Sequence, residues 1–366
     1  GKLMVVAAAR PSCTDAPVGG AGLGARLAPT AASEAAQLLR PANNTAQELA
    51  STLAEARVSV DLFLAPRGYM DLASLAPLAR GSGGEVHHYP WFSPEGGDGE
   101  RLRADFARAA TRSTAWQAEL RLRVSCGWRV ARVHGAFADG GRDHLLAPAC
   151  HEDQSFAIAL EPDGTEGSSL LCVQAALLHT TSCGDRLVRV HTWGTVTTSD
   201  SLTLLRSVDD AAAAAFLAAA CADRALVRGL AGDAGGLRSA RASLEAVVRE
   251  AETAARNVEA SARSAAWRMG AVGGAPGGGE EVLPRLPRYL RGLLRSPAFR
   301  AELGEIRGAG AGPAADARSF ALARAASASA ACAEALGQGD AGHGALHPED
   351  CGRGVPPEAG FGVSAA

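Results

Sequence analysis

The sequence predicts a multidomain α+β chain: an alternating strand and helix region, then an all-antiparallel β module, then an all-α region. Three observations predict it. Apolar, β-branched runs alternate with amphipathic helical stretches between Lys2 and Arg112, the pattern of parallel strands joined by helical crossovers. From Trp116 to Thr192, short alternating runs follow one another with only turn residues between them, which is the texture of an antiparallel sandwich or barrel. After Ser201 the chain turns alanine-rich and helically periodic. These changes divide it into 1–114, 115–200 and 201–336, with a low-complexity tail over 337–366.

At 366 residues, 47% of them apolar, there is material for ~2 or 3 domains of about 150 residues each. No uninterrupted apolar run approaches the roughly 20 residues that cross a bilayer, and the opening GKLMVVAAARP lacks the layout of a signal peptide. The eight cysteines are scattered and never fall as C-x-x-C, so no zinc ribbon is expected and a reducing compartment fits better than a disulfide framework. Lys2 is the only lysine among 36 basic residues, a compositional bias that makes arginine less informative than usual.

Taken in order, Lys2 to Ala8 reads as a buried strand. Thr45 and Glu48 make a capping box for a helix with Leu49 and Leu53 on one face. RVSVDLFL over 57–64 is the next strand. Asp71 to Arg80 is a short helix with Leu72, Leu75 and Leu78 inward, stopped by Pro77 and the Gly83-Gly84 pair. EVHHYPWF over 85–92 is a third strand, and Glu100 to Arg112 a helix carrying Leu102, Phe106 and Ala109. Three such units are half of an ordinary doubly wound domain, so the other half is expected upstream of Gly1. Between Arg10 and Pro41 the pattern lapses into Pro, Gly and Ala, and an insertion or loop is expected over 9–45.

In the β module, Glu119, Arg121 and Arg123 alternate with Leu120, Leu122 and Val124, and Cys126-Gly127 is a plausible two-residue turn into a strand over 128–134. Ser155 to Leu160 is another strand. LLCVQAALLHTTSCGDRLVRVHT, over 170–192, then forms a hairpin whose return strand alternates Arg186, Val188 and Val190 with Leu187, Arg189 and His191, one face toward a core. Helices follow over 209–230 and 237–269, a glycine-rich linker over 273–280, and an amphipathic helix with Leu286, Leu290, Leu293 and Leu294 on one face and Arg288, Arg291 and Arg295 on the other. A packed helix is the favoured reading of that last segment, and one lying on a membrane the alternative. A helix over 314–336 is the final element expected, with no structure forced on the rest after 308.

Net charge is −3, yet eight arginines lie between Arg101 and Arg132 against only Asp105 and Glu119. A solvated face is the plain explanation, and a local positive surface for anionic lipid or acidic peptide the sharper one. Catalytic patterns are absent: no G-x-S-x-G, no H-E-x-x-H and no G-x-x-x-x-G-K-[ST]. Gly20, Gly22 and Ala25 match a dinucleotide fingerprint, but Pro11 and Pro17 separate them from the first strand and no amphipathic helix follows. His87 and His88, as strand neighbours, point to opposite faces. His151, Glu152 and Asp153 read as turn solvation and not as a metal site. No catalytic, cofactor or metal residue is assigned.

Several strings together resemble a known family. VSVDLFL over 58–64, YMDLASLAPLARGSGGEVHHYPWF over 69–92, ERLRADFARAATRSTAWQAELRLRVSCGW over 100–128, the hairpin over 173–192 and VLPRLPRYLRGLLRSPAFR over 282–300 are similar to the cargo-adaptor subunit of the inner COPII vesicle coat, the Sec twenty-four family. In that family's hairpin a second arginine stands where this chain has Leu187, while Arg186 and Arg189 agree. Asp316-Ala317-Arg318-Ser319 extends the likeness. The resemblance implies the C-terminal part of a von Willebrand-type α/β trunk, a β-sandwich and a helical domain. The family's zinc finger lies upstream and its cysteines are absent here, as is a recognisable gelsolin-like module. It also implies a heterodimer with the related GTPase-activating inner-coat subunit, assembly with a Sar-type GTPase, and binding of the cytosolic tails of cargo membrane proteins at an anionic membrane surface. Residence would be cytoplasmic, peripheral on the endoplasmic reticulum and COPII vesicles, with no nucleic-acid role and no enzymatic activity. Arg121, Arg123, Arg186 and Arg189 are the candidates for a basic cargo or membrane surface, cross-strand pairing with Glu119 and Asp185 being their plainer role. The related GTPase-activating subunit, an α/β nucleotide-binding enzyme and a metal-dependent adhesion module are the alternatives, and the last would need a D-x-S-x-S loop that the sequence lacks.

Overall fold

The computed structural model describes residues 1–10, 39–141, 143–164, 169–230, 236–268, 283–300 and 311–327. The Gly20-Gly22-Ala25 fingerprint, the linker over 273–280 and the tail after 327 lie outside the described residues. The fold is multidomain α+β, as the patterning predicts.

The first region is a parallel three-stranded sheet, β1 (Lys2–Ala7), β2 (Ser59–Leu64) and β3 (Val86–His88), in the order β1-β2-β3. Every residue of β2 is buried, because helices cover a parallel sheet. The charge this buries is matched: Asp61 is fully buried and meets the Lys2 ammonium at 2.7 Å, while its other oxygen accepts the Glu85 N–H at 3.0 Å. Three helices pack around the sheet, α1 (Thr45–Glu55), α2 (Leu72–Gly81) and α3 (Asp98–Thr111).

Three local expectations are corrected here. The Thr45–Glu48 capping box does not form, since Asn44 is the N-cap and the Asn43 side chain accepts the Thr45 N–H at 3.2 Å. The face α1 buries is Ala46, Ala50 and Ala54, leaving Leu49 45% exposed. A Cβ on Gly81 would stand 3.0 Å from that of Ala50, so α2 lies too close for a leucine face. The third strand stops at His88, before Pro90, and Trp91 adopts φ 59.

Seven strands form the β module: β4 (Thr114–Val124), β5 (Trp128–His134), β6 (Ala138–Asp139), β7 (His144–His151), β8 (Ala157–Pro162), β9 (Leu170–Thr180) and β10 (Arg186–Val196). All pairings are antiparallel, in a five-stranded sheet of order β10-β9-β4-β7-β6 and a two-stranded sheet β5-β8. The Cys126-Gly127 turn is not a hairpin: β4 pairs with β7 and β9, and the turn, with Gly127 at φ 90, carries the chain to the other sheet. Strand β7 was not predicted, and it contains Pro148, a residue unfavourable in a central strand. The structure accommodates it locally, for Ala147 and Ala149 pair with β4 while Gln117 between their partners turns to φ 49.

Helices α4 (Ser201–Ser207), α5 (Asp210–Leu230), α6 (Gly236–Arg268), α7 (Leu286–Arg295) and α8 (Ala311–Ala325) complete the described fold. Their core sets Leu244, Leu290, Leu293 and Phe299 against the alanines of α5. Leu286, Leu290 and Leu293 are thus buried in protein, which overturns the membrane-lying alternative for α7, and Arg291 pairs with Glu252 of α6 at 2.5 Å. Among the described residues no helix is long and apolar enough to cross a membrane.

Candidate functional site

Two surfaces concentrate charge, and their chemistry differs. The first is a cleft of about 200 Å³ between α3, β3, the end of β7 and α8, lined in part by Glu85, His87, Arg112, His151, Asp153 and Arg324. Its charges are largely satisfied within the chain. Arg112, with its side chain 4% exposed, meets Glu85 at 2.9 Å and Asp153 at 3.4 Å, and Arg108 meets Asp153 at 2.5 Å. Glu85 lies well below the usual carboxylate range because His151 at 3.3 Å, His87 at 3.6 Å and the charge of Arg112 outweigh its burial. The arginine-rich stretch 101–132 is therefore in good part an internal ion-pair network, with Arg129 joined to Glu161 at 2.8 Å. Of the paired histidines, His87 stacks on Phe63 at 4.5 Å and His88 meets the Phe320 ring edge-on at 5.7 Å. Their opposite directions agree with the strand alternation. Burial pulls His88 down to about 4. Among the described residues no group of three or more His, Cys, Asp or Glu could hold a metal.

The second surface is the outer face of the five-stranded sheet. Register places Arg121 opposite Ala176 and Ala176 opposite Val190, and it places Arg123 opposite Gln174 and Gln174 opposite Thr192. Partners across an antiparallel sheet share a face. This face therefore carries Arg121 and Arg123 on β4, Leu178, Ala176 and Gln174 on β9, and Val188, Val190 and Thr192 on β10. Both β4 arginines are exposed, as are Val188 at 61% and Val190 at 53%. The expected pairing of these arginines with Glu119 does not occur. Glu119 is held by Arg57 at 2.7 Å, with His144 at 3.5 Å, and no ion pair among the described residues uses Arg121 or Arg123.

Arg186 closes one end of the same face, donating to Thr180 Oγ1 at 2.9 Å and to the Gln117 carbonyl at 3.2 Å. Arg189 is separated from the other three. It pairs with Leu177, itself opposite Leu120, and so belongs to the reverse face. A further correction concerns β10, which was expected to turn one face to a core. Residues Arg186 to Thr192 are exposed on both faces, and the exposed valines beside the arginines were not foreseen, because alternation marks two faces without saying whether either is covered.

Comparison with known proteins decides between the alternatives. Residues 1–110 match the Sec23/Sec24 trunk domain and residues 115–198 the Sec23/Sec24 beta-sandwich domain, in one chain and in that order. The curated relatives are protein transport proteins sec24, such as that of Aspergillus oryzae, 31% identical over 71% of this chain and 26% of the relative. That of Pyricularia oryzae is 30% identical over 72% of this chain and 26% of the relative. The chain belongs to the Sec24 family. It spans about a quarter of the length of the curated relatives it matches. The crystal structure of the human COPII-coat protein Sec24c shares the fold, with TM-score 0.67 over 89% of this chain and 40% of that one, at 22% identity. The family models cover the trunk sheet and the antiparallel module, and the two β4 arginines that form no ion pair among the described residues lie on that module.

Proposed function

We propose that this chain acts as a COPII coat component that selects cargo for transport from the endoplasmic reticulum to the Golgi, working by binding without bond chemistry. Membership in the Sec24 family supports the coat role. The observation that carries the recognition role is the pair of exposed guanidinium groups of Arg121 and Arg123, in no ion pair among the described residues, two residues apart on one strand and separated by β9 from exposed Val188 and Val190 on the same face. Forked donors beside an apolar strip suit a short cytosolic signal containing carboxylates and an apolar side chain. Charge-assisted hydrogen bonds of this kind contribute about 1.5–3 kcal/mol each, so single signals bind weakly and a lattice of coats makes them effective.

On this reading the partners are the GTPase-activating inner-coat subunit, the Sar-type GTPase assembly and the tails of membrane cargo. The protein is cytosolic and peripheral on the endoplasmic reticulum and its vesicles, where an anionic surface adds attraction to exposed arginines. It needs no cofactor of its own. The domain limits 1–114, 115–200, 201–336 and the tail 337–366 belong to the same proposal. The test replaces the matching segment of a full-length family member with this chain and asks whether the product co-precipitates with the GTPase-activating subunit. Retention is expected, and loss of that partner from an otherwise folded chimera would refute the coat role.

A further inference from the structure

Arg57 occupies a backbone position that favours glycine. It follows α1 in the left-handed region, at φ 59. Its N–H donates to the Ala54 carbonyl at 2.9 Å and the Val58 N–H to the Leu53 carbonyl at 2.8 Å, the paired closure of a helix that usually ends on glycine. The Cβ of an arginine is strained there, and strained positions concentrate where a side chain has a task. The task here reaches another region: Arg57 Nη2 donates to Glu119 Oε1 on β4 at 2.7 Å, across 62 residues of sequence.

Glu119 is the only acidic residue in β4, β7, β9 or β10. It opposes Leu178 on β9 while Arg121 opposes Ala176, so the two share a face, roughly 6.8 Å apart along the strand at ~3.4 Å per residue. Its Oε2 stands 3.5 Å from His144 Nε2, and His144 is the β7 residue directly opposite Arg121. The carboxylate therefore already leans toward the row of Arg121. Yet no ion pair among the described residues joins it to Arg121 or Arg123, and its near partner is Arg57.

We infer that Arg57 is a positioning residue for the recognition face: by holding Glu119 it keeps the sheet's own carboxylate off Arg121, and so leaves the β4 arginines available to an acidic ligand. Arg57 belongs to the trunk and Arg121 to the antiparallel module, so recognition on β4 requires the two regions to be docked. A shift of the turn after α1 masks the site from within. The inference rests on the cargo reading for its purpose, whereas the competition for Glu119 is internal to the chain.

Arg57→Gly suits the left-handed backbone and removes the guanidinium without disturbing the turn. The first readout needs no ligand. Phenylglyoxal modifies accessible guanidinium groups, and mass spectrometry of the labelled full chain reports Arg121 and Arg123 separately. Wild type should label at both. Arg57→Gly should label Arg121 about twofold to fivefold more slowly, with little change at Arg123, and Arg57→Gly with Glu119→Gln should return to the wild-type rate. A strap that merely joins two regions would leave these rates unmoved, and a general loss of positive field would slow both arginines alike. The second readout is the affinity of a peptide carrying two glutamates and a leucine, which should fall about twofold to fivefold in Arg57→Gly and recover in the double variant.

An unreactive Arg121 in wild type, equal labelling of Arg121 in wild type and Arg57→Gly, or slowed labelling that Glu119→Gln does not relieve would each overturn the inference. Labelling as predicted with no peptide binding by wild type would uphold the masking and refute the cargo reading. Peptide binding that needs Arg121 and Arg123 but is equally tight in Arg57→Gly would uphold the cargo reading and refute the positioning role.

Discussion

The carboxylate of Asp316 on α8 accepts the backbone N–H of Leu72 at 2.7 Å, across 244 residues of sequence. Its second oxygen accepts the Met70 N–H at 2.5 Å. Leu72 opens α2, whose own N-cap residue Asp71 makes no side-chain cap and sits at φ 60, so a distant helix satisfies the first donors that the local sequence leaves orphaned. Two residues on, Arg318 donates to the carbonyls of Pro297 and Arg300 at 3.0 and 2.9 Å, and α8 is thus pinned to the trunk on one side and the helical region on the other. Asp316→Ala leaves two buried N–H groups unmatched, and a loss of about 1–3 kcal/mol is expected in urea unfolding of the full chain.

The same carboxyl makes stability depend on pH. Burial pushes Asp316 up to about 7, against the opposing pull of the Leu72 and Met70 N–H groups, whereas the unfolded side chain titrates near ~3.9. Between those values the folded state holds more protons than the unfolded one, so this group's contribution to stability is present at low pH and is lost as pH rises through about 7. Melting temperatures at pH 5, 6 and 8 should show wild type declining relative to Asp316→Asn toward the alkaline end, since asparagine carries no proton to lose.

A buried cluster joins all three regions. Asp223 of α5 lies against Arg80 of α2 with one oxygen and against His134 of β5 with the other. Burial, with Arg132 and Arg80 nearby, lowers His134 to about 4, so a neutral imidazole meets the carboxylate at physiological pH. Asp223→Ala leaves the part-buried Arg80 guanidinium without its carboxylate, and a cost of about 1–3 kcal/mol is expected in chemical denaturation, accompanied by earlier proteolysis between the regions.

Gly84 lies where the chain passes directly over β2. A Cβ there would collide with the Val60 carbonyl and stand 2.8 Å from Asp61 Oδ1, and backbone cannot yield as a side chain does. Gly84→Ala should destabilise the trunk by about 1–3 kcal/mol, read as a lower midpoint in thermal unfolding, while Gly68→Ala, which meets nothing within 4 Å, serves as the silent control.

Much of this architecture was written in the pattern of the chain. The β2 string, the α5 and α6 spans and the leucine face of α7 follow from periodicity, because burial of one stripe is a local property of the sequence. Residues whose partners come from elsewhere were not legible. Leu49 reads as internal, but α2 approaches Ala50 at Gly81 and leaves it exposed, and β7, which carries Pro148, was not predicted and pairs with β4 around a turn of the backbone at Gln117. At the candidate site, the types and the strand of Arg121 and Arg123 could be read directly. Their freedom from Glu119 could not, because that acid is held by Arg57 from another region, and the separation of Arg189 required the register.

The reading of Arg121 and Arg123 as receptors for acidic signals is tested most directly by fluorescence anisotropy of a labelled peptide carrying two glutamates and a leucine, titrated with the full chain at low and moderate salt. Wild type should bind, with affinity falling as salt screens the contact, and Arg121→Glu with Arg123→Glu should weaken it about tenfold to a hundredfold while a lysine-bearing peptide gains. Equal affinity of wild type and the doubly reversed chain for the glutamate peptide would contradict it.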